Sequence, residues 1–232
     1  ISMNLIHILG LMRNLHKTIL FNFRYLPLRQ AIKLPIIFVS KVKLINLKGK
    51  VLLNGKIRTR MVVIGTRGNS LYQQLPNVVV WNNHGGTCVF SDRISFCTGL
   101  SIEIGIDGCL NFGANIYCGP MVRIACFDSI TIKDNSRIAW ETIILDTDFH
   151  QTINIETHEK SVLTRPVIIG KNNWIGLRSF VMKGTCTPDY CIVSAYSLLN
   201  KKYDVPNYSL IGGSPAKFLK GNLYRDLDSH VY

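Results

Sequence analysis

"IGKNNWIGLRSFVMKGTCTPDYCIVSAYSLL", Ile169 to Leu199, carries an aliphatic residue at every sixth position: Ile169, Ile175, Val181, Val193 and Leu199, with only Thr187 off the beat. The same interval joins Ile132, Ile138 and Ile144 upstream. An earlier set, Ile104, Leu110, Ile116 and Val122, follows it in a frame displaced by a short insertion around Phe127-Asp128-Ser129. Four places after each aliphatic the residue is usually small, as at Gly108, Ala114, Cys126, Ser136, Thr142, Ser179, Cys191 and Ser197. A six-residue interval fits neither the alternation of a strand nor the 3.6-residue turn of a helix. It fits a chain that turns a corner every six residues, points one aliphatic inward per side and needs a small residue near each corner. Three such sides close a triangular coil of about 18 residues, and successive coils stack as parallel strands about 4.8 Å apart. The beat therefore predicts an all-β fold, a parallel β-helix.

With 232 residues, 47% of them hydrophobic, the chain can bury one full core. A formal charge of +13 favours acidic partners: nucleic acid, anionic lipid head groups or a phosphate-bearing ligand. Seven cysteines without a CxxC pair argue against a disulfide framework and a zinc ribbon, and point to a reducing cytoplasm. No uninterrupted apolar run long enough to span a membrane, and no small-residue cleavage site, stands out near the N-terminus.

Three segments are expected. Residues 1–45 lack the beat; "MNLIHILGLMRNLHKTILFNFRYL" has three-and-four apolar spacing and reads as helix up to Pro27. This basic extension either caps the open end of the coil or attaches to an anionic membrane surface. Residues 46–200 form the β-helix, and 201–232 a C-terminal strand and tail. Between Ile144 and Ile169 lie 25 residues, 19 more than one side needs, so a loop over 145–164 must leave the coil and return at "RPVIIG". Loops on rigid scaffolds are where function concentrates.

The repeat, with "DTDFH" (Asp146–His150), "RPVIIGKNNWIG" (Arg165–Gly176) and "GGSPAK" (Gly212–Lys217), resembles the left-handed β-helix, hexapeptide-repeat acyltransferases, in particular sugar O-acetyltransferases of bacterial surface-polysaccharide biosynthesis. The likeness spans roughly Val51 to Lys220. It implies a homotrimer that takes acetyl-CoA as cosubstrate in a groove between neighbouring subunits.

His150 is the foremost catalytic candidate, because an imidazole takes a proton from a hydroxyl at neutral pH and returns it. Asp146 and Asp148 are available to orient it; strand-like alternation favours Asp148, while either could instead cap loop amides. Trp140 either lines the acceptor pocket or packs between subunits. The resemblance places Trp174, Gly176, Ala195, Ser197 and Asn200 beside the coenzyme, with Lys201, Lys217 and Lys220 near its phosphates. Two departures stand out: Tyr196 where a glycine is usual and Asn200 where a threonine is usual. Another branch of related enzymes has an asparagine one coil before the histidine, which "CGPMVR" (Cys118–Arg123) lacks. No metal is expected, since His84, His150 and His158 lack zinc-site spacing, and Cys126 and Cys191 read as packing at corners.

The resulting expectation is an acetyl-CoA-dependent O-acetyltransferase acting on a sugar hydroxyl of a surface polysaccharide or its precursor. Its setting is the cytoplasm, with membrane association through the N-terminus and no nucleic-acid partner. The alternatives are an N-acetyltransferase acting on an amino sugar nucleotide, and a non-catalytic β-helix scaffold.

Overall fold

The computed structural model describes residues 5–68 and 78–226; the outer ends of the expected terminal segments, 1–4 and 227–232, lie outside the described residues. From Ile36 onward the chain winds as a left-handed parallel β-helix. Its three faces are sheets of nine, seven and five strands, here called first, second and third in the order the chain visits them. Strands pair in register from coil to coil. Ile102, Ile124, Ile144, Val181 and Leu199 form one interior column, and Cys118, Ile138, Ile175, Val193 and Ile211 another. All of these side chains are buried, as are the small corner residues Ser136, Thr142, Ser179 and Ser197. Corners need a left-handed residue. Asn115, Asn135 and Asn172 supply it above one another at φ 55–59°, since the short polar side chain of Asn tolerates that region.

The early frame needs a correction of two residues. Register aligns Phe112, Cys118 and Ile124 with Ile132, Ile138 and Ile144. Leu110 pairs with Ile130, while Ile116 and Val122 precede the pairs Tyr117–Arg137 and Arg123–Ile143. Residues i and i+2 of a strand share a face, so each side has two inward positions, and the early coils place bulk at both. Those coils are longer: Phe90 pairs with Phe112, 22 positions on, and Phe112 with Ile132, 20 on, against 18 from Val181 to Leu199. Phe90, Phe96 and Phe112 fill the wider interior with ring centroids 5.0–6.1 Å apart.

The coil also starts earlier than residue 46. Ile36–Phe38, Val42–Leu47 and Lys50–Leu53 already form its first turn. Phe38, Leu44 and Leu53 pair with the next coil at intervals of six and nine, so no sixfold beat betrays them. At the other end the strand Leu210–Gly213 continues the coil past residue 200, and Ala216–Lys220 folds back on it antiparallel.

The helix Leu5–Tyr25 closes the open end. Asn22 donates to the Ile36 carbonyl (2.6 Å) and accepts from its N–H (3.2 Å), and Thr18 Oγ1 accepts from Phe38 N (3.1 Å). The edge strand thereby satisfies backbone groups that would otherwise invite another chain. Phe21 packs edge-on against Phe38 and Trp81.

Candidate active site

From Phe90 to Leu199 two sides of the triangle are six residues long in each coil, and the third varies. The side from the second sheet to the third takes ten residues from Ile102 to Phe112, eight from Ile124 to Ile132, 25 from Ile144 to Ile169, and six from Val181 to Thr187. Surplus chain in this part of the coil thus emerges along one edge of the prism.

The largest surplus is an arm of two antiparallel limbs, bridged at Thr147–Thr164 and Ile153–Lys160. Its tip turns at Asn154, whose Oδ1 accepts from the N–H groups of Glu156 and Thr157. His150 stands exposed on the outgoing limb. Below the arm, corner residues of earlier coils line a cleft of about 470 Å³: His84, Glu103, Gly105, Ile106, Asp107 and Phe127. Phe127 meets Phe149 edge-on at 5.4 Å, so one wall of the cleft touches the neighbour of His150. Gly105 is required there, because a Cβ would lie 2.7 Å from the Phe127 ring. On the outer wall His84 Nε2 sits 3.0 Å from Glu103 Oε1, and Asn82 Nδ2 donates to the same oxygen at 3.2 Å.

Neither aspartate reaches His150, which corrects the expectation that one of them orients it. Asp146 is fully buried and accepts from the N–H groups of Phe127 (2.7 Å) and Asp128 (2.8 Å). Burial raises its carboxyl above the ordinary value, and the two amides pull it partly back. Asp148 pairs with Lys183 at 2.5 Å. The alternation that favoured Asp148 breaks at Phe149, whose φ of 61° turns the chain, with Thr147 Oγ1 accepting from its N–H at 3.0 Å. Lys183, at the next corner of the same edge, also donates to the Val162 carbonyl and so holds both limbs. Sequence reasoning missed it; its position one coil beyond the arm was the available signal.

The expected coenzyme residues fall on two edges of one chain. Trp140, Gly176, Ala195 and Ser197 lie at corners between the first and second sheets, and Trp174 projects from the first sheet, 43% exposed. Lys217 and Lys220 are exposed on the returning strand of that same sheet. Asn200 and Lys201 are exposed on the His150 edge, one coil beyond Lys183. The second sheet separates these groups by about 20 Å, six residues at 3.3 Å each. Trp140 is half-buried. Tyr196 explains its own departure: its φ is 56°, the left-handed corner conformation that a glycine fits without strain. Its ring lies under the Arg178 guanidinium, which also pairs with Glu141. Cys126 and Cys191 are buried at corners, as packing requires.

The left-handed parallel β-helix is the fold this chain shares with hexapeptide-repeat acetyltransferases of solved structure. No protein-family model matches the chain. Its homologues are bacterial O-acetyltransferases. WbbJ of Escherichia coli (strain K12), which carries a provisional name as an O-acetyl transferase of lipopolysaccharide biosynthesis, is 27% identical over 58% of this chain and 72% of its own length. The galactoside O-acetyltransferase of the same strain is 26% identical over 53% of this chain and 58% of its own. Among solved structures, the polySia-specific acetyltransferase NeuO superposes with a TM-score of 0.53 at 20% identity, covering 84% of this chain and 92% of its own.

Proposed function

We propose that the protein is an acetyl-CoA-dependent O-acetyltransferase whose acceptor is a sugar hydroxyl of a bacterial surface polysaccharide or its precursor, with His150 as general base. The observation that carries this reading is the edge on which His150 and the cleft adjoin through Phe127 and Phe149. Carboxylate, imidazole and amide groups beside an aromatic wall suit sugar hydroxyls and faces. The relatives named for O-acetyl transfer in lipopolysaccharide biosynthesis, to galactosides and to polysialic acid support the acceptor class.

The exposed residues fit the donor. Trp174 offers an apolar surface for a pantetheine arm, and Lys201, Lys217 and Lys220 are exposed point charges suited to phosphates. Bound acetyl-CoA would supply the acetyl thioester. His150 takes the acceptor hydroxyl proton as the oxygen attacks, and returns it to the departing thiolate. A backbone N–H would stabilise the developing oxyanion. Trp174, Lys217 and Lys220 lie across the second sheet from the edge that carries His150, Asn200 and Lys201, so a site built between two chains would bring both sets together, as in the homotrimer that the sequence resemblance implies. The implied setting is the cytoplasmic face of the membrane, where polysaccharide precursors are assembled.

Calorimetry with coenzyme A, followed by radiolabelled acetyl transfer to lipopolysaccharide and capsular oligosaccharides, tests the reading. Saturable binding and acid-stable, alkali-labile label on the glycan are expected. A folded protein that binds no coenzyme A would contradict it.

A further inference from the structure

We infer that the N-terminal end of the prism is a docking surface for an anionic lipid bilayer. The charge of the chain is divided unevenly. Residues 1–91 hold 13 of the 27 Lys and Arg residues and no Asp or Glu, whereas residues 92–232 hold 14 of each sign. The whole net charge of +13 therefore belongs to the capping helix and the first coils. Arg13, Arg24, Arg29, Lys33, Lys41 and Lys43 are all exposed there.

The capping helix exposes apolar residues that an ordinary surface helix would bury. Its inward face carries Phe21 together with Asn14, Thr18 and Asn22, all buried, with Thr18 and Asn22 occupied by the edge strand of the coil. Its outward face carries Met12, Leu15, Ile19, Leu20 and Phe23, all 42–69% exposed. Met12, Leu15, Ile19 and Phe23 follow the three-and-four spacing that makes one stripe, and Arg13 and Arg24 flank it. Leu28 and Ile32 beyond the helix are exposed as well. An apolar stripe bordered by cations is the arrangement of helices that lie in the plane of a membrane interface. No helix among the described residues is long and apolar enough to cross a bilayer. A second copy is the poorer occupant, because end-to-end contact would set one uniformly basic surface against another.

Docking end-on would stand the coil axis away from the bilayer. The His150 arm leaves the fifth strand of the second sheet, four coil steps beyond Val42–Leu47, or about 20 Å at 4.8 Å per step. A glycan on a lipid carrier would reach the cleft along that edge. To this extent the purpose of docking rests on the transferase reading, while the surface itself does not.

Co-sedimentation with phosphatidylcholine vesicles, with and without phosphatidylglycerol, tests the surface in the absence of any substrate. The protein should bind the anionic vesicles at least about tenfold more tightly than the neutral ones, and added salt should weaken binding. Ile19→Asp with Phe23→Asp should abolish binding, and Arg24→Glu with Arg29→Glu and Lys33→Glu should reduce it at least about tenfold. All five positions are exposed, so circular dichroism and coenzyme A affinity should be unchanged; those two readouts report on the transferase reading separately. Equal binding to both vesicle types, no binding to either, or a Ile19→Asp, Phe23→Asp protein that still binds would overturn the inference. So would wild-type protein whose oligomer dissociates in that variant without any vesicle binding, which would make the face a contact between copies.

Discussion

Lys183 Nζ lies 2.5 Å from Asp148 Oδ2 and donates to the Val162 carbonyl as well, so one side chain from the following coil holds both limbs of the histidine arm. Lys183 is mostly buried, and truncating it leaves Asp148 and the carbonyl to water. Lys183→Ala should therefore cost the fold only about 1 kcal/mol. Its larger effect should be on the arm: amide exchange across 147–164 at least about tenfold faster, with kcat lowered more than coenzyme affinity. Unchanged exchange in the arm would show that the clasp does not order it.

Asp146 predicts a different phenotype. Asp146→Ala leaves the part-buried N–H groups of Phe127 and Asp128 without their acceptor, at a cost of about 2–4 kcal/mol in urea unfolding. The pH dependence has a defined sign. Burial raises this carboxyl in the folded state, so the folded chain holds the proton more tightly than the unfolded one. Its contribution is then fully present below the ordinary carboxylate value near 3.9 and is lost as pH rises through the raised one. The stability of wild type relative to Asp146→Asn should fall across that interval as pH increases; a rise would contradict the assignment.

Buried thiols should be inert. Burial lifts Cys191 to about 12, raises Cys97 and puts Cys88, Cys118 and Cys126 well above their ordinary value. The thiolate, which is the reactive form, is thereby disfavoured in all five. Ellman's reagent should leave these five unlabelled in the native protein and reach all seven cysteines in denaturant. Rapid native labelling of Cys126 or Cys191 would count against their packing role.

Replacing Lys201, Lys217 and Lys220 with alanine should raise the coenzyme KM well beyond any fall in kcat, each contact contributing about 1 kcal/mol or roughly fivefold. Unchanged coenzyme affinity at low salt would remove these residues from the site.

The later coils were legible because each side there is six residues and one aliphatic fills each inward position, as at Ile169, Ile175 and Val181. The early frame slipped by two because Leu110 and Phe112 are both inward and both large, so spacing alone could not rank them. The first coil escaped notice because Phe38, Leu44 and Leu53 keep no constant interval. His150 and its arm followed from the 19 surplus residues, whereas the roles of Asp146 and Asp148 depended on the left-handed turn at Phe149. The cleft was hidden for another reason: His84, Glu103 and Phe127 lie far apart in sequence and meet only because successive coils bring the same corner into line.

The most direct measurement is the steady-state kinetics of His150→Ala beside its coenzyme A affinity, once transfer to a glycan is established. His150 is exposed on the arm, so the variant should keep its melting temperature, oligomer and coenzyme affinity. Its kcat should fall by about 10² to 10⁴, because proton removal is needed only in the transition state. A folded variant with unchanged oligomer that retained more than about a tenth of wild-type kcat would show that His150 is not the base.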